Sequence, residues 1–246
     1  MEEKNEVMLN LPSLDTKKLR EAFIGNEPFD HIVIDNFFDS EELERVVKEI
    51  KDIPDFIWYI GKHDPESYVQ QKKSSIDKRE YMTPLVKKVV DRLSSLEMLD
   101  MITEITGIED IQNDDELIGG GVHRTITGGK LSIHADFNIH PNSKKFRRVN
   151  ALLYLNQDWS PECKGELELW DKDMTACQKK VEPIFNRLVL FRIRDDAFHG
   201  HPEKWLGDEN NPRLSFALYY YTEDRPEEEK APFHWAIWKE RPNLGY

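Results

Sequence analysis

A histidine and an aspartate stand two residues apart in Leu131-Ser132-Ile133-His134-Ala135-Asp136-Phe137-Asn138. The segment reads as a strand, in which side chains i and i+2 project from one face. His134 and Asp136 would therefore present an imidazole and a carboxylate side by side. With a further histidine from a distant strand, the pair makes a three-point facial grip for a ferrous ion and leaves coordination positions open. Ala197-Phe198-His199-Gly200-His201-Pro202 offers that third donor. His199 is the first choice and His201 the second, with Gly200 allowing the backbone to pass close to a ligand. Arg213-Leu214-Ser215 then opens the most strongly alternating strand, which carries Arg213, Ser215, Ala217, Tyr219 and Tyr221 on one face. A buried guanidinium beside a hydroxyl is a natural clamp for a carboxylate, because the arginine fork reaches both oxygens. The alternative is a structural salt bridge at a strand start.

The chain that must position these residues has 246 residues and a formal charge of −13. That length forms one large domain or two small ones around a sizeable core. The acidic balance argues against a nucleic-acid partner, whose phosphates need a basic face. No apolar run approaches the roughly 20 residues that span a bilayer, and Met1-Glu2-Glu3-Lys4-Asn5-Glu6 is acidic where a signal peptide is basic and then apolar. Cys163 and Cys177 are too few for a disulfide framework and lack metal-type spacing. A reduced, cytoplasmic protein with no membrane partner is expected; its oligomeric state is open.

Helical signals come first. A short helix is expected around Thr16 to Phe23, and Phe29 to Phe38 is rich in β-branched and aromatic residues, as strands are. Asp39 with Glu42 forms a capping box for a helix whose buried stripe is Leu43, Val46, Val47 and Ile50. Gly61 to Glu80 is charged and aperiodic, and reads as a loop or a lid. Pro84 suits the first turn of a second helix, and a third runs from Leu96 to Thr106 with Gly107 as its stop. After Asp115 short strands follow one another: Leu117 to Arg124, Leu131 to Asp136, Val149 to Leu155, Glu166 to Trp170, Val181 to Phe185, Leu188 to Arg192 and Leu214 to Tyr221. Thr127-Gly128-Gly129 is a tight-turn signal between the first two. Helices followed by many strands predict an α+β, mainly β fold. Phe233, Trp235, Ile237 and Trp238 are expected to fold the charged tail back onto the body. Lys144, Lys145, Arg147 and Arg148 form a basic run, read as a solvated loop, with attraction of an acidic ligand as the alternative.

Taken together, His134-x-Asp136, His199-Gly200 and Arg213-x-Ser215 resemble the iron(II)- and 2-oxoglutarate-dependent oxygenases, most of all their prolyl 4-hydroxylase-like branch. Tyr154-Leu155-Asn156-Gln157-Asp158-Trp159 is similar to that branch's Tyr-Leu-Asn-x-x-Trp. Gly165-Glu166-Leu167 resembles its Gly-Gly-x-Leu, with Lys164 in place of the first glycine, and Asn186-Arg187 to Phe191 its Asn-Arg-x-x-x-Phe. The match covers residues 117–222. The chain departs from it in carrying Arg124 where oxygen-sensing relatives have a tyrosine, and in the longer interval from His199 to Arg213.

The resemblance implies a double-stranded β-helix, a jelly-roll or cupin-like core, with supporting N-terminal helices in a single domain over 1–246. Residues 1–115 would form the N-terminal strand and helices, 116–222 the core and 223–246 a tail packed on it. It implies Fe(II) held by His134, Asp136 and His199, and 2-oxoglutarate held by Arg213 with Tyr154 and Ser215. Tyr219, Arg124 and Trp170 would border the substrate. The reaction implied consumes O2 and 2-oxoglutarate, releases succinate and CO2, and hydroxylates a C–H bond, with ascorbate as a reductant. A prolyl residue in a protein or peptide is the expected substrate and a free amino acid the second choice. Two other classes compete: a zinc-dependent hydrolase using the same ligands, and a non-enzymatic β-barrel binding module with a vestigial site.

Overall fold

A computed structural model describes residues 9–58 and 67–246. Residues 1–8 of the lead-in and 61–66 of the expected loop lie outside the described residues. The four longer helices begin where a side chain takes an orphan main-chain N–H. Asp15 caps α1 (Thr16–Gly25), Asp39 caps α2 (Ser40–Lys51), and a short α3 (Asp55–Trp58) follows. Thr83 caps α4 (Pro84–Leu93), with proline in its first turn, and Ser95 caps α5 (Leu96–Thr106). α5 stops at Gly107, whose φ of +70° is the left-handed conformation that glycine adopts without steric cost. Glu42 does not complete the expected capping box; its carboxylate pairs instead with Arg45 at 3.4 Å.

The strands are β1 (His31–Ile34), β2 (Gln70–Ile76), β3 (Gly121–Ala135), β4 (Phe146–Tyr154) and β5 (Leu167–Trp170). β6 (Cys177–Val181), β7 (Arg187–Arg192), β8 (His199–His201), β9 (Arg213–Thr222) and β10 (Ile237–Trp238) follow. They run in the order β1-β7-β4-β9-β3-β8-β5-β6, with β2 and β10 also paired to β3. The antiparallel sheet curls because β3 serves both of its halves. Gly121 to Thr125 pair with β9, whereas Leu131 and His134 pair with β8. The result is the double-stranded β-helix expected of the resemblance.

Alternation divides the wall into two faces. Leu153, Leu188, Leu190, Phe216, Leu218 and Tyr220 point outward, where they join the buried stripes of α2, α4 and α5 in one core. Asn150, Leu152, Phe191, Arg213, Ser215 and Tyr219 point inward to a cavity between the two halves.

Two expectations are corrected. Thr127-Gly128-Gly129 does not turn a hairpin, and β3 runs through it. The Gly128 N–H donates to the Trp205 carbonyl at 2.7 Å, and the Trp205 N–H to the Gly129 carbonyl at 2.8 Å. Gly129 is there for close approach: a Cβ would lie 2.8 Å from the Gln71 carbonyl oxygen. Much of the expected loop from Gly61 to Glu80 is strand β2, paired along β3 from Leu131 to Val122. The tail pairs with β3 through β10, and Phe233 and Trp235 remain exposed at 45% and 61%.

Phe216 is fully buried where β9 meets the helices. Phe216→Ala is expected to lower unfolding free energy by about 3–5 kcal/mol in urea titrations. A loss below about 1 kcal/mol would contradict the helix-covered face described here.

Candidate active site

His134 on β3 and His199 on β8 are register partners across an antiparallel pair. Such partners project from the same face, and the two rings lie 4.7 Å apart between centroids. Asp136, two residues further on, brings its Oδ1 to 3.5 Å from His134 Nε2 and its Oδ2 to 3.4 Å from His199 Nε2. All three donor atoms fall within 4.8 Å of one another, and all three residues are buried or nearly so. Each histidine is oriented by its own strand: Nδ1 of His134 meets the Ser132 carbonyl at 2.9 Å, and Nδ1 of His199 the Ala197 carbonyl at 3.0 Å. With Nδ1–H donating there, the Nε2 lone pairs face Asp136, the tautomer a metal needs. Burial, the largest influence, lowers the pKa of His134 and so favours its neutral form.

Asp136 is held in turn by two residues of β4. The Asn150 amide donates to its Oδ2 at 2.7 Å, and Arg147 pairs with the same oxygen at 2.9 Å. Arg147 also donates through Nε to the Asn150 Oδ1 at 2.9 Å, closing a three-residue network. Its guanidinium lies 3.4 Å from the Tyr219 ring centroid and 4.5 Å from that of Phe137. Burial pushes the Asp136 carboxyl up, but Arg147 and the two histidines outweigh it and hold the group well below the usual carboxylate range. Neither β4 residue is singled out by the sequence, where Arg147 reads as part of a solvated basic run. Within that run only Lys144 is exposed; Arg148 is buried against Glu229, and Lys145 pairs with Glu223.

At the other end of the cavity Arg213 is buried on β9 and donates through Nε to the Gly165 carbonyl at 2.8 Å. Tyr154 on β4 is the register partner of Ser215, and its ring lies 5.0 Å from the Arg213 guanidinium carbon. Its hydroxyl is buried without a hydrogen-bond partner. His201 lines the same cavity with both ring nitrogens unpartnered, and His123 and Lys73 complete that end.

Of the residues expected to border the substrate, Tyr219 alone lines the cavity, with its hydroxyl donating to the Gly119 carbonyl at 2.7 Å. Arg124 and Trp170 lie outside it, because alternation sends them the other way. His123 faces in, so Arg124 faces out, pairing with Asp55 at 2.7 Å and stacking on Trp58. Leu167 and Leu169 face in, so Trp170 packs on the outer side against Ile133, Ala135 and Phe198 and donates to Glu168.

Residues 120–221 match the 2OG-Fe(II) oxygenase superfamily model. A curated relative, the mouse prolyl 3-hydroxylase OGFOD1, is 24% identical over 200 residues. That alignment covers 79% of this chain and 33% of the relative, so the chain spans about a third of the length of the protein it matches. A Pseudomonas putida prolyl-4-hydroxylase superposes with a TM-score of 0.53 at 18% identity, covering 83% of this chain and 98% of that one. A Phytophthora capsici prolyl 4-hydroxylase gives 0.56 at 19% identity, with coverages of 92% and 70%. HygX of Streptomyces hygroscopicus, solved with nickel, 2-oxoglutarate and hygromycin B, gives 0.56 at 13% identity, with coverages of 89% and 97%. The solved structures agree in fold, and the segment that matches the 2OG-Fe(II) oxygenase superfamily model, residues 120–221, carries His134, Asp136, His199 and Arg213.

Proposed function

We propose that this chain is an iron(II)- and 2-oxoglutarate-dependent dioxygenase that hydroxylates a prolyl residue of a protein or peptide, with succinate and CO2 as co-products. The observation that carries the reading is the joint opening of a His-Asp-His donor set and a buried arginine into one cavity. The donor chemistry fits: two neutral imidazoles and one carboxylate suit ferrous iron and leave coordination positions free. The far end fits a carboxylate, since Arg213 and the orphaned Tyr154 hydroxyl stand together there. A zinc hydrolase or a binding module would leave that end without a task.

His134, Asp136 and His199 would hold the iron, and Arg213 with Tyr154 and Ser215 the distal carboxylate of 2-oxoglutarate. When bound, iron and 2-oxoglutarate supply the O2-dependent redox chemistry that converts the cosubstrate to succinate and CO2 and oxidises a C–H bond. The protein supplies orientation and dryness. The two main-chain carbonyls fix both imidazoles, while Arg147 and Asn150 keep the Asp136 carboxylate ionised and aimed. Leu152, Leu167 and Phe191 give the cavity that holds the donors and Arg213 an apolar part of its lining.

The prolyl assignment follows the similarity to proteins named prolyl hydroxylases; a free amino acid is the second choice. Ascorbate is proposed as the external reductant and the cytoplasm as the setting. Among the described residues no helix is long and apolar enough to cross a membrane.

Anaerobic addition of iron(II) and 2-oxoglutarate is expected to raise a weak visible charge-transfer band that His134→Ala abolishes. Arg213→Ala should weaken the 2-oxoglutarate dependence of that band by roughly 30-fold or more, the effect of removing one partner of a buried charge pair. No band, and no succinate in air, would reject the reading. His199→Ala should lose iron while His201→Ala retains it; equal retention would displace His199 as a ligand. Asn150→Ala leaves all three donors in place and should weaken metal binding about 10- to 100-fold, the usual cost of losing an orienting partner. Calorimetry with Mn(II) measures this, and unchanged affinity would count against the network on Asp136.

A further inference from the structure

Lys73 is a cation at this cavity to which the reading above gives no task. It stands on β2, and its register partner on β3 is Thr125, which in turn is partnered by Arg213 on β9. Register partners share a face, so Lys73, Thr125 and Arg213 form one row across three strands. Their outer members are two strand spacings apart, about 10 Å between Cα atoms, within reach of two long side chains meeting over the smaller Thr125.

The aim of Lys73 depends on an irregularity. The register jumps from Gln71 opposite Lys130 to Lys73 opposite Thr125, and Lys72 between them has a φ of +48°. That is the left-handed region, unfavourable for a residue with a Cβ. The Lys72 ammonium is turned away to the Thr127 carbonyl at 3.0 Å. Bulges of this kind re-aim a neighbouring side chain, and here Lys73 is brought to line the cavity with Arg213, His123 and His201. Burial and then repulsion from Arg213 push the Lys73 ammonium down to about 8, with Asp136 offsetting this in part. The nearby His201 ring nitrogens are buried without partners. Two cations and an unpartnered imidazole at one end of a cavity are the environment of an anion.

We propose that Lys73 is the second arm of a clamp on the distal carboxylate of the dicarboxylate cosubstrate, reaching it from β2 while Arg213 reaches it from β9. The row places Lys73 with Arg213, at the end away from the His-Asp-His set, so it acts on the distal carboxylate and not on the 2-oxo acid end. It makes the site selective for a 2-oxo dicarboxylate over a 2-oxo monocarboxylate. The inference rests on the oxygenase reading and adds a residue whose stretch of sequence reads as loop.

The test is calorimetric titration of the Mn(II)-loaded protein with 2-oxoglutarate and with 2-oxopentanoate, which keeps the 2-oxo acid and lacks the distal carboxylate. Lys73→Met is expected to weaken 2-oxoglutarate about 10- to 100-fold, the worth of a charge-assisted hydrogen bond, and to leave 2-oxopentanoate and Mn(II) within about threefold. Lys73→Arg should recover most of the lost affinity. A Lys73→Met protein that binds 2-oxoglutarate as tightly as the wild type, or that loses both acids equally, overturns the clamp while leaving the oxygenase reading intact. Wild-type protein that fails to bind 2-oxoglutarate rejects the oxygenase reading itself, and the clamp with it.

Discussion

A carboxylate can be buried in an ionised state only if its charge is answered where it stands, and Asp136 imposes that condition on the whole interior. Taking an ion out of water costs several kcal/mol even after relaxation. Arg147 answers it at 2.9 Å, but Arg147 is itself only 1% exposed and carries the same liability. The rings of Tyr219 and Phe137 take up the guanidinium face, Asn150 binds both partners, and Tyr219 is anchored through its hydroxyl to the Gly119 carbonyl. One charge just past the end of β3 thus fixes side chains on β4, on β9 and in the segment before β3. The network leaves the Nε2 atoms of His134 and His199 turned toward the same carboxylate, which is the geometry a metal requires.

The wall can carry such a network because its other face does the folding. Every second residue of β4, β7 and β9 is buried against the helices, and those positions are aliphatic or aromatic: Ala151, Leu153, Leu188, Leu190, Leu214, Phe216, Leu218 and Tyr220. The inward positions between them are thereby free to be polar. The same division explains why a strand of this sheet can hold Arg213 and Ser215 without losing its place. Its register is set by the outer face, where a one-residue slip would turn Phe216 and Leu218 into the cavity.

Much of this was legible in the sequence where the physics is local. The helix cap at Asp39, the proline in the first turn of α4, the stop at Gly107 and the alternation of β9 all follow from residue types at fixed spacing. The pairing of His134 with Asp136 was legible because i, i+2 on a strand shares a face, and His199 was the first choice for a third donor, with His201 the second; what the sequence alone does not contain is the register that sets His199 opposite His134. What was not legible depends on bulges. Arg147 and Asn150 are three apart and would face opposite ways on a regular strand; a register shift between Arg147 and Val149 brings both inward. Lys73 is concealed in the same way by the shift at Lys72. β2 itself, Gln-Gln-Lys-Lys-Ser-Ser-Ile, buries little beyond Ile76 and lacks the composition of a strand; pairing to β3 overrides propensity. Arg124 and Trp170 failed for the converse reason: their strand neighbours faced the cavity, so they could not.

The charge inside the molecule runs opposite to the charge outside. A chain of formal charge −13 encloses a cavity lined by Arg213, Lys73, four histidines and one carboxylate already matched by Arg147. Screening weakens the acidic exterior beyond about 8 Å at physiological salt, whereas the desolvated cations within are screened much less. A small dianion therefore meets a shallow repulsion at the surface and a strong attraction at depth, and its affinity is set by the interior. Cations held apart from partners also oppose folding, so an anion that binds there stabilises the folded state by more than its contacts alone suggest. The rigid sheet that orders the donors is what lets the protein tolerate that excess. Stability on the outer face and electrostatic demand on the inner one are two consequences of a single alternating pattern.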